Sequence, residues 1–306
     1  MTGFESTEHQ REFWQCLQRR RVPLKFAYAG AAATTHNRLA EQDTYHDVVA
    51  SVVTEVETIQ SHLRNARQLR ISEAGPGNGI HTVAFLGELM RAECIPTKYL
   101  GLDFSRTLLE IASDRLKLAF PALEVETQKW DFEAAPTFAI NEWCCGEPVL
   151  ALLIGHTLGN PENPEAVLRN FHDSLDSKDL FLLSVALWND PDIATLLAPY
   201  ETEIFRDAAM KPLLMAGIEE SAVTFVVRFD SSIQSVVGEC VVTRPLRISN
   251  REEDLVLRPD DRITCFLSRR FSDTDLKSLI HTCGWSIVEA GYSATRSHAA
   301  FVLRRQ

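Results

Sequence analysis

Glu73-Ala74-Gly75-Pro76-Gly77-Asn78-Gly79 is the stretch whose reading decides the fold. Residues 69–73 ahead of it have strand character and residues 82–90 behind it have helical spacing, so the glycines stand at a strand-to-helix turn. Glycines there let the backbone come close to a ligand, and the helix N-terminus behind them offers free amide groups. The alternation continues downstream. Residues 99–103 read as a strand, 105–118 as a helix, 149–154 as a continuous apolar run of strand length, 164–175 as a helix and 180–187 as another buried strand. Strands apolar throughout suit the centre of a parallel sheet covered on both faces. The expected fold class is α/β, with a doubly wound, Rossmann-like sheet.

After Asp190-Pro191 the texture changes, and residues 225–229, 236–242 and 255–257 look like strands of an insertion. The core pattern is expected to resume near Arg262. Ser272-Asp273-Thr274-Asp275 is a capping box, Phe271 and Leu276 can form a hydrophobic staple, and Gly284 supplies a stop, which predicts a helix over 273–283. Residues 285–290 and 299–303 are apolar runs able to pair antiparallel at the sheet edge. The expected organisation is an N-terminal substrate-covering segment over 1–60, a core built from 61–190 and 262–306, and an inserted α+β substrate-binding subdomain over 191–261.

Composition narrows the partners. A net charge of -11 over 306 residues would repel a nucleic-acid backbone. The first twenty residues mix Glu5, Glu8, Arg11 and Glu12 with scattered apolar positions, unlike a signal peptide. The longest apolar runs are far shorter than the ~20 residues needed to cross a bilayer. Seven cysteines without a C-x-x-C spacing read as reduced thiols, with Cys144-Cys145 as packed loop thiols. These features predict a cytoplasmic protein that acts on a small molecule, with no nucleic-acid or membrane partner and no metal.

Glycines alone are weak evidence, and the surrounding set sharpens them. Glu73 lies two residues before Gly75, and Asp103 ends the second strand, where a carboxylate can accept both ribose hydroxyls of a nucleoside. Phe104 follows it. A dinucleotide fingerprint would need glycine at position 80, which holds Ile80, whereas methyltransferases tolerate Gly75-x-Gly77-x-Gly79. The cofactor expected is S-adenosyl-L-methionine. At the end of the third strand, Asp131 can accept from an adenine amine and Phe132 can lie against its face. The tip of the fourth strand carries Gly155-His156-Thr157-Leu158-Gly159-Asn160, where acceptor and methyl group would meet. His156 is a candidate to take a proton from the acceptor, beside the alternative of a structural hydrogen-bonded turn histidine.

Gly155 to Asn160 resembles the G-S-T-I-G-N motif of the histidine-specific N-alpha-methyltransferase family of ergothioneine biosynthesis. Residues 73–79, 99–105, Asp131-Phe132 and Ser268-Arg269-Arg270-Phe271 fall where that family has its corresponding segments, in the same order. The resemblance covers 70–190 and 262–306 reasonably, the first 60 residues loosely and 191–261 hardly at all. It implies a Rossmann-like class I methyltransferase in which Asn160 holds the amino-acid backbone of the acceptor, Ser268 helps to bind its side chain, and Tyr45 contacts it from the N-terminal segment. Tyr45 and His156 are then the two groups placed to remove a proton. Two departures stand out. The family's imidazole-binding carboxylate is replaced by Phe266, and the tyrosine-aspartate of its N-terminal motif becomes Tyr28-Ala29. A phenylalanine there would leave a histidine's polar ring atoms unpaired, which predicts an aromatic or aliphatic amino acid, or an amine derived from one, as the better acceptor. The alternatives are an O- or C-methyltransferase of a secondary metabolite and a catalytically silent binding subunit of the same fold.

Overall fold

The computed structural model describes residues 3–41, 50–63, 69–189, 192–250 and 253–306. The chain forms two compact units, one from 43–189 and 270–306, the other from 1–42 and 190–269.

The larger unit supplies β1 (Leu69–Ala74), β2 (Pro96–Asp103), β3 (Glu124–Lys129), β4 (Leu150–Leu153) and β5 (Leu180–Ala186). The smaller supplies β6 (Val223–Asp230), β7 (Ser235–Val242), β8 (Leu246–Ser249), β9 (Asp254–Leu257) and β10 (Arg262–Arg269). The larger unit then ends with β11 (Trp285–Tyr292) and β12 (His298–Arg305).

The seven-stranded sheet runs β11-β12-β5-β4-β1-β2-β3. From β5 to β3 every neighbouring pair is parallel, whereas β12 is antiparallel to both β5 and β11. Alternate residues of β4 feed separate cores: Ala151 and Leu153 pack with Leu102, Phe171, Phe181 and Trp285. Leu150 and Leu152 pack with Ile59, Ile71, Phe85 and Leu182 on the other face. Burial on both faces is why this strand reads as an unbroken apolar run, and Leu152→Ala should cost about 2–5 kcal/mol.

Helices cover the sheet where their caps predict them. Ser272 accepts from the amide of Asp275 at 3.0 Å and opens the helix Asp273–Thr282, while Phe271 and Leu276 are both buried in the core. Gly284 closes that helix with φ of 85°, a left-handed angle that glycine reaches without strain.

The helix Val52–Leu63 belongs to the larger unit, burying Val52, Val56, Ile59 and Leu63 in its second core. The expected covering segment over 1–60 therefore splits near residue 42. A second difference lies at Arg262, where the core was expected to resume. β10 instead pairs antiparallel with β7 in a three-stranded sheet of order β10-β7-β6, so the larger unit resumes at Arg270. Its register with β7 over seven positions outweighs the pattern that suggested otherwise.

In the smaller unit the helix Thr7–Gln18 is capped by Ser6, which accepts from His9 N–H at 3.1 Å, and buries Phe13, Trp14 and Leu17. The helix Glu203–Met215 contributes Ala209 to a core beneath the three-stranded sheet. All seven cysteines are free thiols. Cys144 is buried as expected, but Cys145 is exposed and carries φ of 52°, because it ends the short helix Ala139–Cys144 in a left-handed turn. Among the described residues no helix is long and apolar enough to cross a membrane.

Candidate functional site

The parallel strands β1 to β4 end on one edge of the sheet, and the reversal of strand order falls at β1, which has β2 on one side and β4 on the other. Ligands of open α/β sheets bind outside the carboxyl ends of the strands at such a point.

Gly75, Gly77 and Gly79 all have positive φ, at 67°, 56° and 80°. Two of them explain the local shape. A Cβ at position 75 would stand 3.3 Å from Thr157 Cγ2 and 3.6 Å from Phe132 Cε1, so glycine lets the loops after β3 and β4 close onto the end of β1. A Cβ at position 77 would meet nothing within 4 Å, so the turn keeps an open cradle beside its backbone.

Asp103 and Phe104 close β2. The Asp103 carboxylate is nearly buried and accepts from the amide of Ser105 at 2.8 Å; the Ser105 hydroxyl in turn caps the helix Arg106–Ala119. The Phe104 ring is buried with Lys129 Nζ 5.4 Å from its centroid.

After β3, Asp131 is half-buried and accepts from Glu133 N–H at 3.1 Å. Phe132 meets Trp130 edge-on at 6.0 Å, and its carbonyl accepts from Asn170 Nδ2 at 2.9 Å. An open glycine cradle, a carboxylate at the next strand end and an aromatic ring beside the first glycine suit the methionine chain, ribose and adenine of S-adenosylmethionine. Gly75, Gly77, Gly79, Asp103, Phe104, Asp131 and Phe132 are the residues that would hold it.

Glu73 is placed differently from the expectation that it touches the cofactor. It is 1 % exposed, and its Oε2 accepts from Thr82 Oγ1 at 2.8 Å and Tyr99 Oη at 2.7 Å. It braces β1 against β2 and the helix Ile80–Arg91 from behind the glycine turn. Burial pushes its carboxyl up to about 7, against the pull of the hydrogen bonds from Tyr99 and Thr82.

The loop after β4 begins at Gly155, whose φ is 78° and whose N–H donates to Ser184 Oγ at 2.9 Å. Thr157 donates to the carbonyl of Ile154 at 2.9 Å, and Asn160 N–H donates to the Thr157 carbonyl at 3.2 Å, closing the turn that presents Asn160. His156 is half-buried as a residue, and its Nδ1 is enclosed with no hydrogen-bond partner among the described residues. Burial, then the positive charge of Arg270, holds its imidazole well below the ordinary histidine value, so it is neutral near pH 7.

Phe266 and Ser268 belong to the smaller unit. Phe266 and Ser268 share one face of β10, but a bulge between Thr264 and Phe266 breaks the strand's alternation, leaving Cys265 and Phe266 both buried. Phe266 is 1 % exposed: Tyr200 stacks on it at 5.5 Å, Phe205 meets it edge-on at 4.8 Å, and a Cβ on Gly238 would overlap it at 1.9 Å. The expectation that Phe266 itself lines a pocket is thereby corrected. It is the floor of an aromatic cluster formed with Tyr200 and Phe205. Ser268 Oγ shares a 2.8 Å hydrogen bond with Tyr200 Oη. Tyr200 is the residue that sequence reading missed, because nothing in its own neighbourhood announces a partner sixty-eight positions away. Tyr45 lies outside the described residues. Among the described residues no cluster of His, Cys, Asp and Glu could hold a metal.

A sheet of this order with this glycine turn and strand-end aspartate defines a class I, S-adenosylmethionine-dependent methyltransferase. The profile of the family described as histidine-specific methyltransferase, SAM-dependent, matches residues 10–305. The chain belongs to that family. No curated protein matches the sequence. Among solved structures it is similar to 1,6-didemethyltoxoflavin-N1-methyltransferase of Burkholderia thailandensis, with 13% identity, 100% of this chain and 93% of that one covered, and a TM-score of 0.49. It is also similar to an S-adenosylmethionine-dependent methyltransferase of Clostridium acetobutylicum, with 9% identity, 87% and 93% covered, and a TM-score of 0.45.

Proposed function

We propose that this methyltransferase acts on the amine of an amino acid or of an amine derived from one, and that it prefers an aromatic or aliphatic side chain to histidine. The observation that carries this reading is the cluster of Tyr200, Phe205 and Phe266 topped by the Tyr200–Ser268 hydroxyl pair. Such a surface offers an apolar side chain about 25 cal/mol per Å² covered and offers no carboxylate to an imidazole. The smaller unit then serves as the acceptor-binding subdomain.

When bound, S-adenosylmethionine supplies a methyl group on a sulfonium sulfur to a nucleophile in line with it. The chain's own task is to hold that line in a dry place. Asp103 and the glycine turn fix the donor; Asn160, whose amide both donates and accepts, grips the acceptor's carboxylate or amine. The amine must be neutral to attack. His156, held neutral itself, accepts a hydrogen bond from the ammonium, and because its basicity is low it relays one proton to water, which leaves the amine nitrogen with the lone pair that attacks. Tyr45 is the second candidate for that transfer.

A panel of free amino acids and their decarboxylated amines, incubated with methyl-labelled S-adenosylmethionine and read by mass spectrometry, tests the proposal. Aromatic and aliphatic members should gain label faster than histidine. Efficient trimethylation of histidine, or label only on oxygen or carbon, would overturn it.

A further inference from the structure

Glu55 is fully buried on the helix Val52–Leu63, and all of its recorded partners lie in the larger unit. Oε1 accepts from Ser51 Oγ at 2.9 Å and from Ser184 Oγ at 2.6 Å, and His298 Nε2 lies 3.4 Å away. Oε2 meets His81 Nε2 at 2.8 Å. A buried carboxylate is tolerated only when its lone pairs are filled and its charge is met, and here both conditions hold. Burial pushes the Glu55 carboxyl up, but the charge and hydrogen bond of His81, with His298 close by, outweigh it and keep the group ionised; burial lowers His81, and Glu55 more than restores it.

The partners of this carboxylate lead to both halves of the candidate site. His81 is the second residue of the helix Ile80–Arg91, immediately behind Gly79 and one position before the Thr82 that braces Glu73. Ser184 receives the Gly155 N–H and passes its own proton donation to Glu55, so the amide that starts the loop after β4 ends on the same carboxylate in two hydrogen bonds. Hydrogen bonds in series within a low-dielectric interior polarise one another.

We propose that Glu55 is a positioning residue for methyl transfer, a single buried carboxylate that sets the glycine turn through His81 and the Gly155–Asn160 loop through Ser184. This rests on the assignment of those two segments to donor and acceptor. The hub couples them: loosening one loosens the other, although His81 makes no recorded hydrogen bond to the loop after β4.

Amide hydrogen exchange on the intact chain, with the variants Ser184→Ala, His81→Gln and their double, reads that coupling without an acceptor. Ser184→Ala should raise exchange in residues 155–160 by about tenfold while strands β1 and β4 keep their protection. His81→Gln should raise exchange in the same residues by about threefold, and the double variant should add nothing to Ser184→Ala alone. In wild type, ¹⁵N spectra should show His81 titrating above the ordinary histidine value, and Glu55→Gln should lower that titration. Unchanged exchange in residues 155–160 for His81→Gln, or strictly additive effects, overturns the proposal. Where Glu55→Gln does not fold, the Ser184 and His81 cycle decides. Calorimetry with S-adenosylhomocysteine separates the two levels: binding with uncoupled exchange locates the fault in the hub, and coupled exchange without binding locates it in the functional assignment.

Discussion

The two units bury opposite kinds of matter. Behind the strand ends of the larger one lie Glu55 and Glu73, two carboxylates enclosed by hydroxyls and imidazoles. Beneath the three-stranded sheet of the smaller one lie Phe266, Phe205 and Phe225, with Tyr200 Oη and Ser268 Oγ satisfying each other. The first arrangement has directional bonds and fixes backbone positions; the second has shape, and shape changes with each ring exchanged. An invariant donor suits the first and a variable acceptor suits the second. The contrast is open to attack from either side.

The largest effect is expected from the smaller unit. Gly238→Ala drives a methyl into the Phe266 ring and should destabilise by about 3 kcal/mol in chemical denaturation. Phe266→Leu in the same chain should recover part of that loss, and no recovery would show that the ring is not the obstacle. Next comes Asp103→Ala, which should weaken S-adenosylhomocysteine binding by roughly thirtyfold in calorimetry, about 2 kcal/mol. An undiminished affinity would remove the ribose assignment.

Glu73 gives a pH signature of known sign. Its folded value of about 7 lies above the ordinary 4.5, so folding takes up a proton and stability drops as pH rises from about 4.5 through 7. Glu73→Gln should therefore gain on wild type with rising pH, by about 1.5 kcal/mol at pH 8 after the carboxamide's unpaired N–H is counted. A difference that stays flat between pH 5 and 8 would mean that Glu73 is ionised throughout. His36 of the smaller unit runs the other way. Burial lowers it from 6.5 to about 4, so its contribution is intact above 6.5 and is lost as pH falls toward 4. The smallest effect belongs to Asn160→Ala, with a roughly fivefold higher acceptor KM and cofactor affinity nearly unchanged. Collapse of cofactor binding alone would put the acceptor on the wrong side of the methyl group.

Local pattern carried most of the fold. Residues 149–154 were expected as a doubly buried strand and Leu150–Leu153 is one; residues 273–283 were expected as a helix and Asp273–Thr282 is one. Each signal is complete within a dozen residues, through periodicity or a cap. β10 shows where this ends. Its apolar alternation gave no sign of the bulge at Cys265, and pairing with β7 rather than with the large sheet depends on residues that lie elsewhere in the chain. The glycine turn, Asp103 and the Gly155 loop were legible because each sits beside the strand end that aims it. The Glu55 hub was not: its hydroxyl from Ser184 comes from 129 residues away and its imidazole from 26 away, and neither spacing leaves a local trace.

The division of the smaller unit between residues 1–42 and 190–269 bears on how the chain is made. A ribosome adds about 5–20 residues per second, so the N-terminal helices emerge roughly ten to fifty seconds before the strands that complete their unit. During that interval Phe13, Trp14, Leu17 and Phe26, all buried in the finished protein, have no sheet to cover them. The larger unit waits as well, since β12 sits between β5 and β11 and is synthesised after both. Neither unit can finish ahead of the other by much, so the nascent chain should depend on chaperones that shield apolar helices through most of its translation.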